Sequence, residues 1–191
     1  MAAPSNLTNQ LLVAMPWFQD SNFAHSVTLI CEHSDRGALG IVLNKPLPMK
    51  LGEVMSQMRL TPTVKDSGEA IGDQTVLRGG PVHQDRGFVL HRPGGEWDSS
   101  HKISETIQVT TSRDVLAAMA RGDGPEDAFV ALGYAGWDAG QLEREIKDNA
   151  WLTLPMDEQL LYTLPYEDRW NAAWRVLGVD VNQVSLVPGH A

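Results

Sequence analysis

The chain has 191 residues and a formal charge of −9, with 42% hydrophobic and 20% charged side chains. That balance excludes an intrinsically disordered chain, and the acid excess argues against a protein that grips a nucleic-acid backbone, which needs a basic face. The lone cysteine, Cys31, excludes an internal disulfide and any multi-cysteine zinc site, and nothing approaches the ~18 continuous apolar residues of a membrane span.

Leu11 to Met15 is a short apolar run stopped by Pro16, preceded by a flexible stretch over 1–9 without the cationic start of a signal peptide. Val27 to Cys31 and Ala38 to Leu43 are two further runs. Between them His33-Ser34-Asp35-Arg36-Gly37 supplies turn formers, so 26–44 is expected to be a β-hairpin. Leu51, Val54, Met55 and Met58 show the spacing of a short amphipathic helix, and 60–73 is expected to be loop. Thr75-Val76-Leu77 then leads through Gly79-Gly80-Pro81 to a second His-x-Asp-Arg-Gly at 83–87 and to Phe88-Val89-Leu90. Each copy is followed by Val-Leu, then Asn44-Lys45-Pro46 or His91-Arg92-Pro93, which suggests two related hairpins and a possible internal duplication. The alternative is coincidence around a common turn.

Residues 94–98 read as loop, and 103–110 alternates like a strand. A helix capped by Thr111 or Ser112 should run through Ala120 and stop at Gly122. Residues 127–134 form an apolar strand, and Asp138 with Gln141 fits a capping box for a helix through Asp148. Trp151 should dock that helix end into the core. A last helix covers 166–177, with Trp170, Ala173, Trp174 and Leu177 on one stripe, its charged residues on a mixed face, and Gly178 as its stop. The expectation is a single α+β (mixed α/β) domain over 1–191, with a mixed, largely antiparallel β-sheet of hairpins flanked by helices.

Three places could hold a ligand. Gly133 to Gly140 reads as a glycine-rich strand-to-helix junction, either a tight turn with Trp137 packed over it or an anion loop. Arg78-Gly79-Gly80 is either a backbone kink or an anion-binding nest. If the duplication is real, Asn44-Lys45 and His91-Arg92 are equivalent strand ends, with Asn44 and His91 as the polar candidates, although either can also satisfy a turn backbone. Asn44, Lys45, Arg78, Gly79, Gly80 and His91 would form one wall of such a site, with Gly136, Trp137 and Gln141 opposite. No catalytic set is visible: Cys31 reads as a buried structural thiol, the histidines lack metal-ligand spacing, and no nucleophile elbow appears. No metal or cofactor is expected.

Leu12 to Pro16, Cys31-Glu32-His33, Gly40 to Pro46, Gly79 to Val82, Asp85 to His91, Thr111 to Leu116, Leu132 to Trp137, Gly140 to Glu143, Asp148 to Thr153 and Gly189-His190-Ala191 occur in one order. On these stretches the chain resembles the AlgH/YqgE family of bacterial proteins over nearly its whole length. The resemblance implies a single-domain, mixed α/β protein of the bacterial cytoplasm and carries over no catalytic residues. Some members bear the label of transcriptional regulator. An acidic chain without a reading helix is expected to act indirectly, without catalysis, through a protein partner or a small ligand. A small-anion-binding enzyme or sensor is the alternative, and direct DNA binding ranks last. Residues 1–95 hold 8 basic and 8 acidic side chains, whereas 96–191 hold 7 and 16, so the acid excess belongs to the second half and leaves room for a small anion in the first.

Overall fold

The computed structural model of the chain describes residues 6–180. In chain order these carry β1 (Gln10–Ala14), β2 (Val27–Ser34), β3 (Gly37–Val42), β4 (Pro46–Lys50), α1 (Leu51–Gln57), β5 (Thr75–Arg78), β6 (Val82–His91), β7 (Ser100–Lys102) and β8 (Gln108–Thr110). They continue with α2 (Arg113–Arg121), β9 (Phe129–Asp138), α3 (Gln141–Lys147), β10 (Trp151–Pro155) and α4 (Arg169–Val176). The class is α+β with predominantly antiparallel strands, as expected. The described residues form two compact units: one from 6–45, 79–82 and 134–180, the other from 46–78 and 83–133.

In the first unit the strand order is β10-β1-β2-β3, followed by the C-terminal part of β9. β1 lies between β10 and β2, so Leu11 to Ala14 are all buried and the strand shows a continuous apolar run instead of alternation. β2 and β3 form the expected hairpin, closing at the Ser34–Gly37 pair, with Gly37 at φ 135°. A Cβ on Gly37 would lie 2.2 Å from the Trp137 carbonyl oxygen, so only glycine fits. The core includes Leu7, Leu12, Ile30, Leu142 and Trp151, with Phe18 and Phe23 packed on it. Trp151 docks as expected, although it begins a strand, β10, rather than merely ending a helix.

In the second unit β5 pairs antiparallel with β4 and parallel with β9, while β6 pairs with β8 and β8 with β7. Leu51, Val54 and Met55 of α1 and Val115, Leu116 and Met119 of α2 pack with Val76, Val89 and Val130. α2 ends as anticipated, with Gly122 left-handed at φ 84° and its N–H on the last turn.

Several expectations are corrected. The second His-x-Asp-Arg-Gly closes no hairpin: residues 83–87 run inside β6, and β5 is taken up by β4 and β9. Gly87 also lacks the positive φ that Gly37 uses. The 103–110 alternation belongs to a hairpin of two short strands, with Ile103 N–H bonded to the Ile107 carbonyl across its turn. β4 escaped notice because Pro46 and Pro48 lack donors; its register with β5 is accordingly interrupted. The 127–134 strand extends to Asp138, so Gly133 to Trp137 is strand rather than junction. The terminal stretch 189–191 lies outside the described residues.

Candidate functional site

The β2–β3 hairpin borders a groove of about 530 Å³, lined by Glu32, His33, Ser34, Arg36, residues 37–39 and Trp137. The chain builds it with a bulge. Ile30 pairs with Gly40 and Glu32 with Leu39, so Cys31 is the extra residue, and bulges of this kind re-aim the side chains that follow. Trp137 enters from β9, held by its pair with Ala38 and by ring contacts with Phe23 at 6.1 Å and Trp151 at 6.3 Å.

His33 is fixed at both nitrogens. Its Nδ1 accepts the Leu7 N–H at 2.9 Å and therefore carries no proton, so Nε2–H donates to Glu143 Oε1 of α3 at 2.5 Å. The imidazole side chain is only 5% exposed. Burial pulls the Glu143 carboxyl upward, but the hydrogen bond from His33 and the nearby charges outweigh it and leave the group below its ordinary value. Both His33 ring nitrogens are thus engaged, one by Leu7 and one by Glu143. The neighbouring Cys31 thiol is buried, and desolvation, helped by Glu32, pushes it up to about 12. That thiol is a poor nucleophile. By contrast, neither the Glu32 carboxylate nor the Arg36 guanidinium makes a hydrogen bond or ion pair with any described residue.

The sequence-predicted residues fall in several places. Trp137 lines the groove, and Gln141 lies at the start of α3, where it accepts the Asp138 N–H at 3.0 Å and donates to Glu145. Gly136 pairs with Leu39. Asn44 clamps the turn before β2, accepting the Val27 N–H at 3.0 Å and donating to the His25 carbonyl at 2.8 Å. Lys45 donates to the Ala24 carbonyl at 2.7 Å. The Gly79 carbonyl accepts the Val42 N–H, and a Cβ on Gly80 would meet the Tyr134 backbone at 2.1 Å. Those residues belong to the first unit. Arg78 and His91 belong to the second, where His91 is wholly buried with Nδ1 on the Arg92 carbonyl and Nε2 on the Thr110 hydroxyl. Burial holds the His91 imidazole below its ordinary value, against the opposing pull of the Arg92 carbonyl. Among the described residues, no three His, Cys, Asp or Glu side chains gather as a metal site would require.

The AlgH-like family matches residues 11–182. The chain belongs to the AlgH-like family. A UPF0301 protein of Thioalkalivibrio sulfidiphilus is 55% identical over the whole of both chains, and one of Xanthomonas campestris is 49% identical over 98% of each. The AlgH protein of Pseudomonas aeruginosa, solved in solution, has 43% identity and a TM-score of 0.78 over 100% of this chain and 99% of its own. A Corynebacterium diphtheriae protein shares the fold at 23% identity and TM-score 0.70, over 92% of this chain and 88% of that one. The AlgH-like relatives thus span the chain end to end, and the expected family is the one found. No described helix is long and apolar enough to cross a membrane.

Three groups escaped the sequence reading. The His33–Glu143 bond joins residues 110 positions apart, and no local pattern announces it. Glu32 and Arg36 read only as turn-flanking charges. Arg169, one of the charged residues on the mixed face of the last helix, is 3% exposed.

Proposed function

We propose that this AlgH-like protein works in the bacterial cytoplasm by binding rather than by catalysis, through a protein partner or a small ligand seated in the β2–β3 groove, and that any influence on transcription is indirect. The observation that carries the reading is the division of labour in the groove. His33, the group best suited to general-base work, is spent on Leu7 and Glu143, while Glu32 and Arg36, opposite charges whose side chains bond to no described residue, line the same groove as Trp137. With both His33 nitrogens engaged, Glu32 and Arg36 are the groove's charged groups available among the described residues for recognising a ligand. The net charge of −9 supports an indirect route to gene expression, because a polyanion is repelled.

Native mass spectrometry of freshly purified protein tests this. A bound partner or ligand should accompany the wild-type chain and be lost from Arg36→Ala. A species retained equally by both would move binding elsewhere. Salt-resistant nanomolar binding to one promoter in a mobility-shift assay would replace the reading with direct DNA recognition.

A further inference from the structure

The end of β3 and the start of α4 place two cations that pair with no carboxylate among the described residues. Arg169 is 3% exposed, yet its guanidinium bonds to no carboxylate among the described residues. Nε donates to the Leu164 carbonyl at 3.0 Å, Nη1 donates to the Leu43 carbonyl at 2.8 Å, and the Tyr166 ring lies 4.6 Å from the guanidinium carbon. Two residues past Leu43, the half-buried Lys45 ammonium has one partner among the described residues, the Ala24 carbonyl. Glu167 and Asp168 precede Arg169 but are exposed and form no ion pair with it. Desolvation lowers both cations, Arg169 to about 10 despite the Tyr166 hydroxyl.

The same segments are tied together by further contacts. Asn44 bonds to the His25 carbonyl, the His25 ring lies 4.4 Å from that of Trp170, and the Trp170 indole N–H donates to the Ala14 carbonyl at 2.9 Å. Residues 24–25, 43–45 and 169–170 are therefore linked to one another, and both Lys45 and Arg169 belong to these linked segments. A desolvated cation is costly without a counter-charge, and among the described residues two carbonyl bonds leave about three of the five guanidinium N–H donors unspent, with two more on the ammonium.

We propose that Lys45 and Arg169 form a binding site for a small oxyanion, a phosphate or carboxylate group, at the end of β3. The planar guanidinium offers paired donors to two oxygens, and the ammonium adds a point charge beside it. This site is separate from the hairpin groove and stands whether or not the groove binds anything.

The probes are inorganic phosphate and acetate, each against chloride at equal ionic strength. Wild-type protein should show a saturable rise in melting temperature and a saturable shift of the Trp170 indole ¹⁵N–¹H resonance, assigned with Trp170→Phe. A response to phosphate alone identifies a phosphoryl ligand, whereas one to acetate identifies a carboxylate. Lys45→Met should weaken the apparent affinity by about tenfold or more, the loss expected for one charge-assisted hydrogen bond, while Lys45→Arg should retain it. Should Lys45→Met fail to fold, Arg169→Lys, which keeps the charge and loses the fork, should bind more weakly than wild type. Responses no greater than with chloride, or variants that respond like wild type, would overturn the proposal.

Discussion

Residues 33–37 close the β2–β3 hairpin, whereas 83–87, with the same His, Asp, Arg and Gly at the same spacing, run as the exposed half of β6. The two copies differ in what the preceding strand has left to pair with. β2 is bonded to β1 on one side and needs a partner on the other, which the returning chain supplies. β5 is already flanked by β4 and β9, so the chain leaving it has no edge to fold back on. Turn residues permit a hairpin, and free strand edges decide whether one forms. Only the copy that turns creates the groove.

The glycines should separate the copies most. Gly37→Ala forces a Cβ onto the Trp137 carbonyl at a φ of 135° and should cost at least about 3 kcal/mol or prevent folding. Gly87→Ala meets nothing closer than Leu132 Cδ2 at 3.8 Å and should stay within about 1 kcal/mol. Denaturant midpoints decide, and equal losses would erase the contrast.

The histidines should follow with smaller effects. His33→Ala orphans the Leu7 N–H and the Glu143 contact, at about 1–3 kcal/mol. His83 is exposed, so His83→Ala should cost less than His33→Ala, about 1 kcal/mol or less. A larger cost at His83 would mean that the second copy bears structure the first does not.

Acid should reach the two units in order. His91 stays neutral when folded because it is buried, so the unfolded chain takes up its proton first and stability falls as pH drops below the ordinary 6.5. Glu143 is held below its ordinary 4.5, so its contribution is present above that pH and lost as pH falls through the folded value. Hydrogen exchange corrected for intrinsic rates should therefore loosen β6 and β8 at higher pH than α3. The reverse order would contradict the assignment. The smallest effect concerns Cys31, which should resist iodoacetamide in the folded protein at pH 8 and react after denaturation, since its thiol sits near 12. Rapid labelling of the native chain would show the bulge to be open.

Local signals were legible wherever the chain supplies its own partner. The first hairpin, the Gly122 stop and the Gly178 stop at φ 79° all follow from neighbouring residues. Strands whose partners lie far off in sequence were not. β10 pairs with β1, and β4 is disguised by its prolines. Of the candidate site, Trp137 was legible as a large apolar group next to glycines, while Glu32 and Arg36 gain meaning only when the bulge and the hairpin bring them to one groove. Arg169 was misassigned because its helix pattern is polar at that position, and only the Leu43 carbonyl, 126 residues away, explains its burial.

Native mass spectrometry of wild type and Arg36→Ala, purified side by side, is the most direct test of binding at the hairpin groove. The account predicts a species heavier than the 21.0 kDa chain in the wild type and the bare chain in the variant. A bare chain in both, or the same adduct in both, would contradict it.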